Sequence, residues 1–107
     1  MNSNPAVTVF GRLGADPELK YTQSLKAVCS FSLAEQLPGE VTPRWHRIVV
    51  WGKQAETCKV QLAKGRPVFV QGQMNTRQFV LNGEAKSQVE LTADFIGIPL
   101  TKDFGNG

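Results

Sequence analysis

Metal-ligating side chains are scarce in this chain. Its 107 residues include two cysteines, Cys29 and Cys58, and one histidine, His46. The cysteines match no Cys-x-x-Cys spacing, so the usual tetrahedral zinc set cannot be assembled. Each lies among apolar neighbours and reads as a buried thiol. No apolar run approaches the roughly 18 residues of a membrane span. Met1-Asn2-Ser3-Asn4-Pro5 lacks the basic and apolar segments of a secretion signal. A soluble, cytoplasmic protein is expected. The acidic residues are scattered and form no paired motif able to hold a hard cation for catalysis. No catalytic residue, metal or cofactor is therefore expected, and the chain reads as a binding protein rather than an enzyme.

Charge is also modest. Charged residues make up 20% of the chain and the net charge is +3, which excludes a disordered composition and permits an acidic partner. A chain of this length forms one domain, burying roughly 65% of its unfolded surface, without staples. Residues 1–100 are expected to form that domain. Residues 101–107, polar and glycine-rich, are expected to be a flexible tail.

Short alternating segments dominate the chain. Ala6 to Phe10 reads as a strand, broken by Gly11 and Gly14, where a bulge or a close backbone approach is expected. Asp16-Pro17 signals a turn. Ala27 to Ala34 alternates with period two, Ala27, Cys29, Phe31 and Leu33 against Val28, Ser30 and Ser32. Arg44 to Trp51 is the next strand. Over Lys53 to Lys64 the spacing changes: Ala55, Cys58 and Leu62 recur at helical intervals, with Gly65 beyond the end. Val68 to Leu81 is a long strand, Asn82-Gly83 a two-residue hairpin turn, and Ser87 to Ile98 the return strand, with Val89, Leu91, Ala93 and Phe95 on one face. The expected class is all-β with one short helix. Five strands with a helix between the third and fourth is the order of the OB-fold barrel.

Two of these strands carry an unusual face. Alternate strand residues point the same way, so Trp45, Arg47, Val49, Trp51 and Lys53 share one side. His46, Ile48 and Val50 take the other, which suffices for a core. In the long strand Val68, Val70 and Met74 form the apolar side, opposite Phe69, Gln71, Gln73, Asn75, Arg77 and Phe79. Exposed rings beside cations suit unpaired bases and their phosphates, and each stacked base contributes about 1–3 kcal/mol. Candidate stacking rings are Trp45, Trp51 and Phe79. Candidate phosphate partners are Arg12, Lys26, Arg47, Lys53 and Arg77, with Gln73 and Asn75 as amide donors. Phe69 and Gln71 fit a subunit contact as well as a ligand. His46, on the core side, reads as a satisfied or interface histidine, and Tyr21 as a ring packed at the barrel edge.

An ordered set of short motifs also resembles the bacterial-type single-stranded-DNA-binding protein family (SSB). The matching stretches are Val9-Phe10-Gly11-Arg12-Leu13-Gly14-Ala15-Asp16-Pro17-Glu18, Ala27-Val28 with Phe31-Ser32-Leu33-Ala34, Trp45 through Lys53, Leu62 through Gly65, Val68 through Gln73, and Thr76-Arg77. The resemblance implies an OB-fold that assembles as a homotetramer. It implies sequence-independent binding of single-stranded DNA during replication, recombination or repair. The family's stacking rings fall on Trp45, Trp51 and Phe79 and its strand cations on Arg47, Lys53 and Arg77. Its interface positions fall on His46, Phe69 and Gln71. A dimeric OB-fold relative, primosomal protein N, is the alternative. The chain departs from the family pattern in a short loop from Glu35 to Pro43 without a tryptophan, and in a short Asn82-Gly83 hairpin. Residues Thr101 to Gly107 do not match the acidic tail ending in Pro-Phe through which family members recruit replication and repair proteins. No such partner is carried over.

Overall fold

A computed structural model describes residues 6–100. The expected tail, 101–107, lies outside them. The elements are β1 (Val7–Leu13), β2 (Glu18–Tyr21), β3 (Ala27–Glu35), β4 (Arg44–Trp51), α1 (Lys53–Gln61), β5 (Pro67–Leu81) and β6 (Glu84–Gly97). The sheet order is β1-β5-β6-β4-β3-β2, and a further β1–β3 pairing closes five of the strands into a ring. This is the OB-fold expected from the strand order, with the helix between β4 and β5. The sixth strand, β2, follows the Asp16-Pro17 turn and has no counterpart among the expected elements. It is four residues long and pairs antiparallel along the edge of β3, Glu18 with Ser30 through Tyr21 with Ala27.

Closure depends on Gly11. It does not end β1, which runs on to Leu13. There β1 gains β3 as a second partner, Gly11 opposite Glu35 and Leu13 opposite Leu33, while Gly11 and Arg12 still pair with β5. A Cβ on Gly11 would lie 2.3 Å from the Ala34 carbonyl oxygen, so only glycine permits this approach. The interior is filled by alternate residues: Val9 and Leu13, Phe31 and Leu33, Ile48 and Val50, Val68 and Val70, Leu91 and Ala93. Each of these side chains larger than alanine contributes about 1.5–3 kcal/mol on full burial. The core therefore forms without either tryptophan.

Helix α1 adds Ala55 and Cys58 to this core, and Leu62 follows. The helix is shorter than expected. It stops at Gln61 because Leu62 turns extended (φ −106°, ψ 154°) and is buried in the core, its N–H donating to the Cys58 carbonyl. Gly65 belongs to a separate turn, in which Arg66 N–H donates to the Ala63 carbonyl. Among the described residues no helix is long and apolar enough to cross a membrane.

Strands β5 and β6 form a long hairpin closed by Asn82 (φ 53°) and Gly83 (φ 80°), as a primed turn requires. Beyond Met74 and Leu91 the hairpin leaves the barrel as an exposed arm, so Val89 is 55% exposed rather than in the core. Phe95 is corrected too. A register shift pairs Gln71 with Phe95 but Gly72 with Ala93, leaving Asp94 unmatched. This bulge reverses the alternation and turns Phe95 outward, 58% exposed, while Ile96 packs against the core.

Candidate nucleic-acid interface

The outward row of β4 runs Trp45, Arg47, Val49, Trp51. Trp45 is 57% exposed and Trp51 41%, while Ile48 and Val50 on the other side are fully buried. Period two thus separates rings from core as the sequence implied. Lys53 does not join this row. Gly52 turns the chain with φ 77° and Lys53 begins α1, so strand parity no longer applies to it. Lys53 lies on the helix surface with Glu56, Thr57, Val60 and Gln61.

A shallow groove of about 210 Å³ crosses the strands at Trp51. It is lined by Lys20, Val28, Ser30, Arg47, Val49, Trp51, Arg77 and Glu90, drawn from β2, β3, β4, β5 and β6. The Lys26 ammonium stands 5.3 Å from the Trp51 ring centroid. The Arg77 guanidinium stands 4.7 Å from the half-buried Phe79 ring. Trp51, Lys26, Arg47, Arg77 and Phe79 are thereby gathered on one face. Asn75 lies on the same side of β5, where its amide donates to Thr92 Oγ1 at 2.7 Å. Gln73 is two residues further into the barrel, opposite Thr92.

The other end of the β4 row is Trp45, whose ring covers Gly14. A Cβ at Gly14 would lie 2.6 Å from Trp45 Cζ3 and 3.1 Å from Ser32 Oγ. Arg12 is off the groove. It sits across Ala34 from Trp45 in the register, and its Nη1 donates to the Gly65 carbonyl at 2.9 Å.

Two members of the groove escaped the sequence reading. Lys20 belongs to β2, whose four residues are too few for a clear alternation. Glu90 was one scattered acid among several. Its side chain is 9% exposed, and its Oε2 accepts from Arg47 Nε at 3.2 Å and from Arg77 Nε at 2.7 Å.

A second outer face lies on β1, β5 and β6. Phe10 and Phe69 pack with ring centroids 4.5 Å apart and remain 45% and 40% exposed. Gln71 stands between Thr8 and Phe95 in the register. Phe10 and Phe95 were not singled out from the sequence. Phe10 followed the parity of a strand with too few residues to reveal its outer face, and Phe95 was hidden by the bulge. His46 is not on this face. Its Nε2 lies 2.8 Å from Glu35 Oε1, and both side chains are largely buried. Tyr21, at the edge, donates its hydroxyl to Glu56 Oε2 at 2.7 Å and ties β2 to α1.

A closed five-stranded ring with a short helix, and with rings and cations left open on its outer side, defines an OB-fold barrel with a solvent-exposed binding face. The chain belongs to the single-strand binding protein family, whose model matches residues 5–99. It is 37% identical over 110 residues to the Chlorobaculum tepidum protein named single-stranded DNA-binding protein 1, covering 94% of this chain and 68% of that protein. It is 36% identical over 93 residues to the single-stranded DNA-binding protein of Treponema pallidum, covering 81% of this chain and 53% of that protein. The chain thus spans about half the length of the second relative.

Proposed function

We propose that this protein binds single-stranded DNA without regard to base sequence and protects it during replication, recombination or repair. The observation that carries this reading is the groove in which Trp51 lies open beside Lys26, Arg47 and Arg77. Bases stack on Trp51, Trp45 and Phe79, and every base has a π-face to offer. Arg47, Arg77 and Lys26 neutralise phosphates between them. Gln73 and Asn75 supply amide contacts, and Arg12 and Lys53 act as flanking cations. Binding by phosphate neutralisation weakens as salt rises. No reaction is involved, and the protein works at its sites as a binder. It associates with copies of itself, as a homotetramer, through Phe69 and Gln71 with Phe10 and Phe95 beside them, and His46 supports the adjoining strand from within. A dimeric primosomal relative is the other assembly weighed, and the family match does not favour it.

Tryptophan fluorescence provides the test. Oligo(dT) should quench it at concentrations where duplex DNA of the same length does not. Trp51→Ala should weaken binding by about 1–3 kcal/mol and leave the domain folded. Unaltered affinity in that variant would remove the groove from the site.

A further inference from the structure

Among the described residues Glu90 is the one charged residue buried in the domain, and it lies in the middle of the groove. Placing a carboxylate on a surface meant for a polyanion opposes binding by Coulomb's law. Its geometry supplies a reason for it. Strand β6 runs between β4 and β5. Leu91, the next residue, pairs with Ile48, which brings Glu90 beside Arg47. On the other flank Glu90 faces Asn75, two residues from Arg77. One oxygen, Oε2, therefore accepts from both guanidinium groups. Both arginines are held through Nε, and Arg77 Nη2 is steadied further by Gln88 Oε1 at 3.2 Å. The arginines themselves stay 38% and 47% exposed.

We propose that Glu90 is a positioning residue for strand binding: its buried carboxylate holds Arg47 and Arg77 as one paired phosphate clamp across the groove. This rests on the reading of the groove as the DNA site. A long, flexible arginine loses rotamer freedom when it grips a phosphate. Anchoring both at Nε removes part of that loss before DNA arrives and leaves Nη groups for phosphate oxygens. Charge and positioning then predict opposite signs. Removal of a negative charge favours a polyanion, whereas loss of the anchor weakens the clamp.

Oligo(dT) titrations of the full chain over a range of salt concentrations decide between them, with melting curves to confirm folding. Glu90→Ala should bind about tenfold more weakly despite its higher net charge. Its log affinity against log salt should be shallower by about 0.7 to 1.4, the share of one or two phosphates. Glu90→Gln keeps an acceptor oxygen without the charge and should recover most of the loss, binding about threefold more weakly than the parent. If Glu90→Ala does not fold, Glu90→Asp carries the test, since it keeps the charge but withdraws the acceptor. It should bind more weakly with the same flattening. Affinity equal to or above the parent's in folded Glu90→Ala or Glu90→Asp would overturn the proposal, as would weakening with an unchanged salt slope. Trp51→Ala, Arg47→Ala and Arg77→Ala run in parallel. If these lose affinity and the Glu90 variants do not, the groove stands and the clamp falls. If none loses affinity, both fall.

Discussion

Trp45 shows how one residue without a side chain can seat an exposed ring. Its indole passes close over Gly14, where no Cβ intervenes. On the proposed reading, this seat restricts the ring and so lowers the rotamer entropy lost when a base stacks on it. Gly14→Ala places a methyl group 2.6 Å from Trp45 Cζ3, and the ring, being the freer partner, must move. The expected outcome is a change in tryptophan emission and a loss of DNA affinity of about 1 kcal/mol, at the low end of the stacking contribution. Near-unchanged urea unfolding should accompany it. An unchanged emission spectrum with parental affinity would show that Trp45 does not depend on this seat. The tryptophans and Arg47 were legible in the sequence because alternation in a single exposed strand needs no tertiary knowledge. The seat on Gly14 was not, because it joins residues 31 positions apart through a turn.

Elements were legible where their signals are local. The Asn82-Gly83 turn, β5 and the inward row of β3 follow from turn chemistry and period two. The bulge opposite Gly72 did not, because its cause is a neighbour. A Cβ there would lie 1.9 Å from the Thr92 carbonyl oxygen, a clash visible only once β6 is in place. Helix α1 was legible in position but not in length, since Leu62 is drawn out of the helix by the core it enters. The same packing has a pH consequence. Desolvation, then the nearby Cys29 thiol, push the Cys58 thiol from its ordinary 9.0 up to about 11. A thiol is charged only after losing its proton, so the folded state holds that proton more tightly than the unfolded chain. The stability this contributes is fully present below pH 9.0 and is lost as pH rises through about 11. Urea midpoints should fall between about pH 8 and about pH 10.5 by more in the parent than in Cys58→Ala. Comparison with the variant subtracts Tyr21, whose hydroxyl is also raised, chiefly by its hydrogen bond to Glu56. Equal falls in the two proteins would place the thiol outside the linkage.

At the scale of the whole molecule the barrel separates two outer surfaces, and closure of the ring is what separates them. The groove faces outward from β2, β3, β4, β6 and the far half of β5. The Phe10–Phe69 face uses β1, the near half of β5 and the end of β6. Strand β5 serves both because it is 15 residues long and its hairpin runs past the barrel. On the proposed reading, a DNA strand and a second copy of the chain occupy different surfaces and do not compete for one. Charge suits this division. Four of the described cations, Lys20, Lys26, Arg47 and Arg77, lie at the groove, whereas the second face presents phenyl rings with Thr8 and Gln71, and Arg12 beside Phe10. On the proposed reading, this contiguous exposed aromatic surface is where copies of the chain associate. Phe69→Lys puts a charge at its centre on a residue already 40% exposed, so the barrel should fold. Loss of a central aromatic contact costs an interface about 2 kcal/mol or more. Light scattering should then report a smaller assembly than the parent at the same concentration. A short oligo(dT) confined to one groove should bind each subunit within about threefold of the parent, while a long strand, which gains from linked sites, should lose more. A parental mass in the folded variant would remove this face from the assembly and leave the groove untouched.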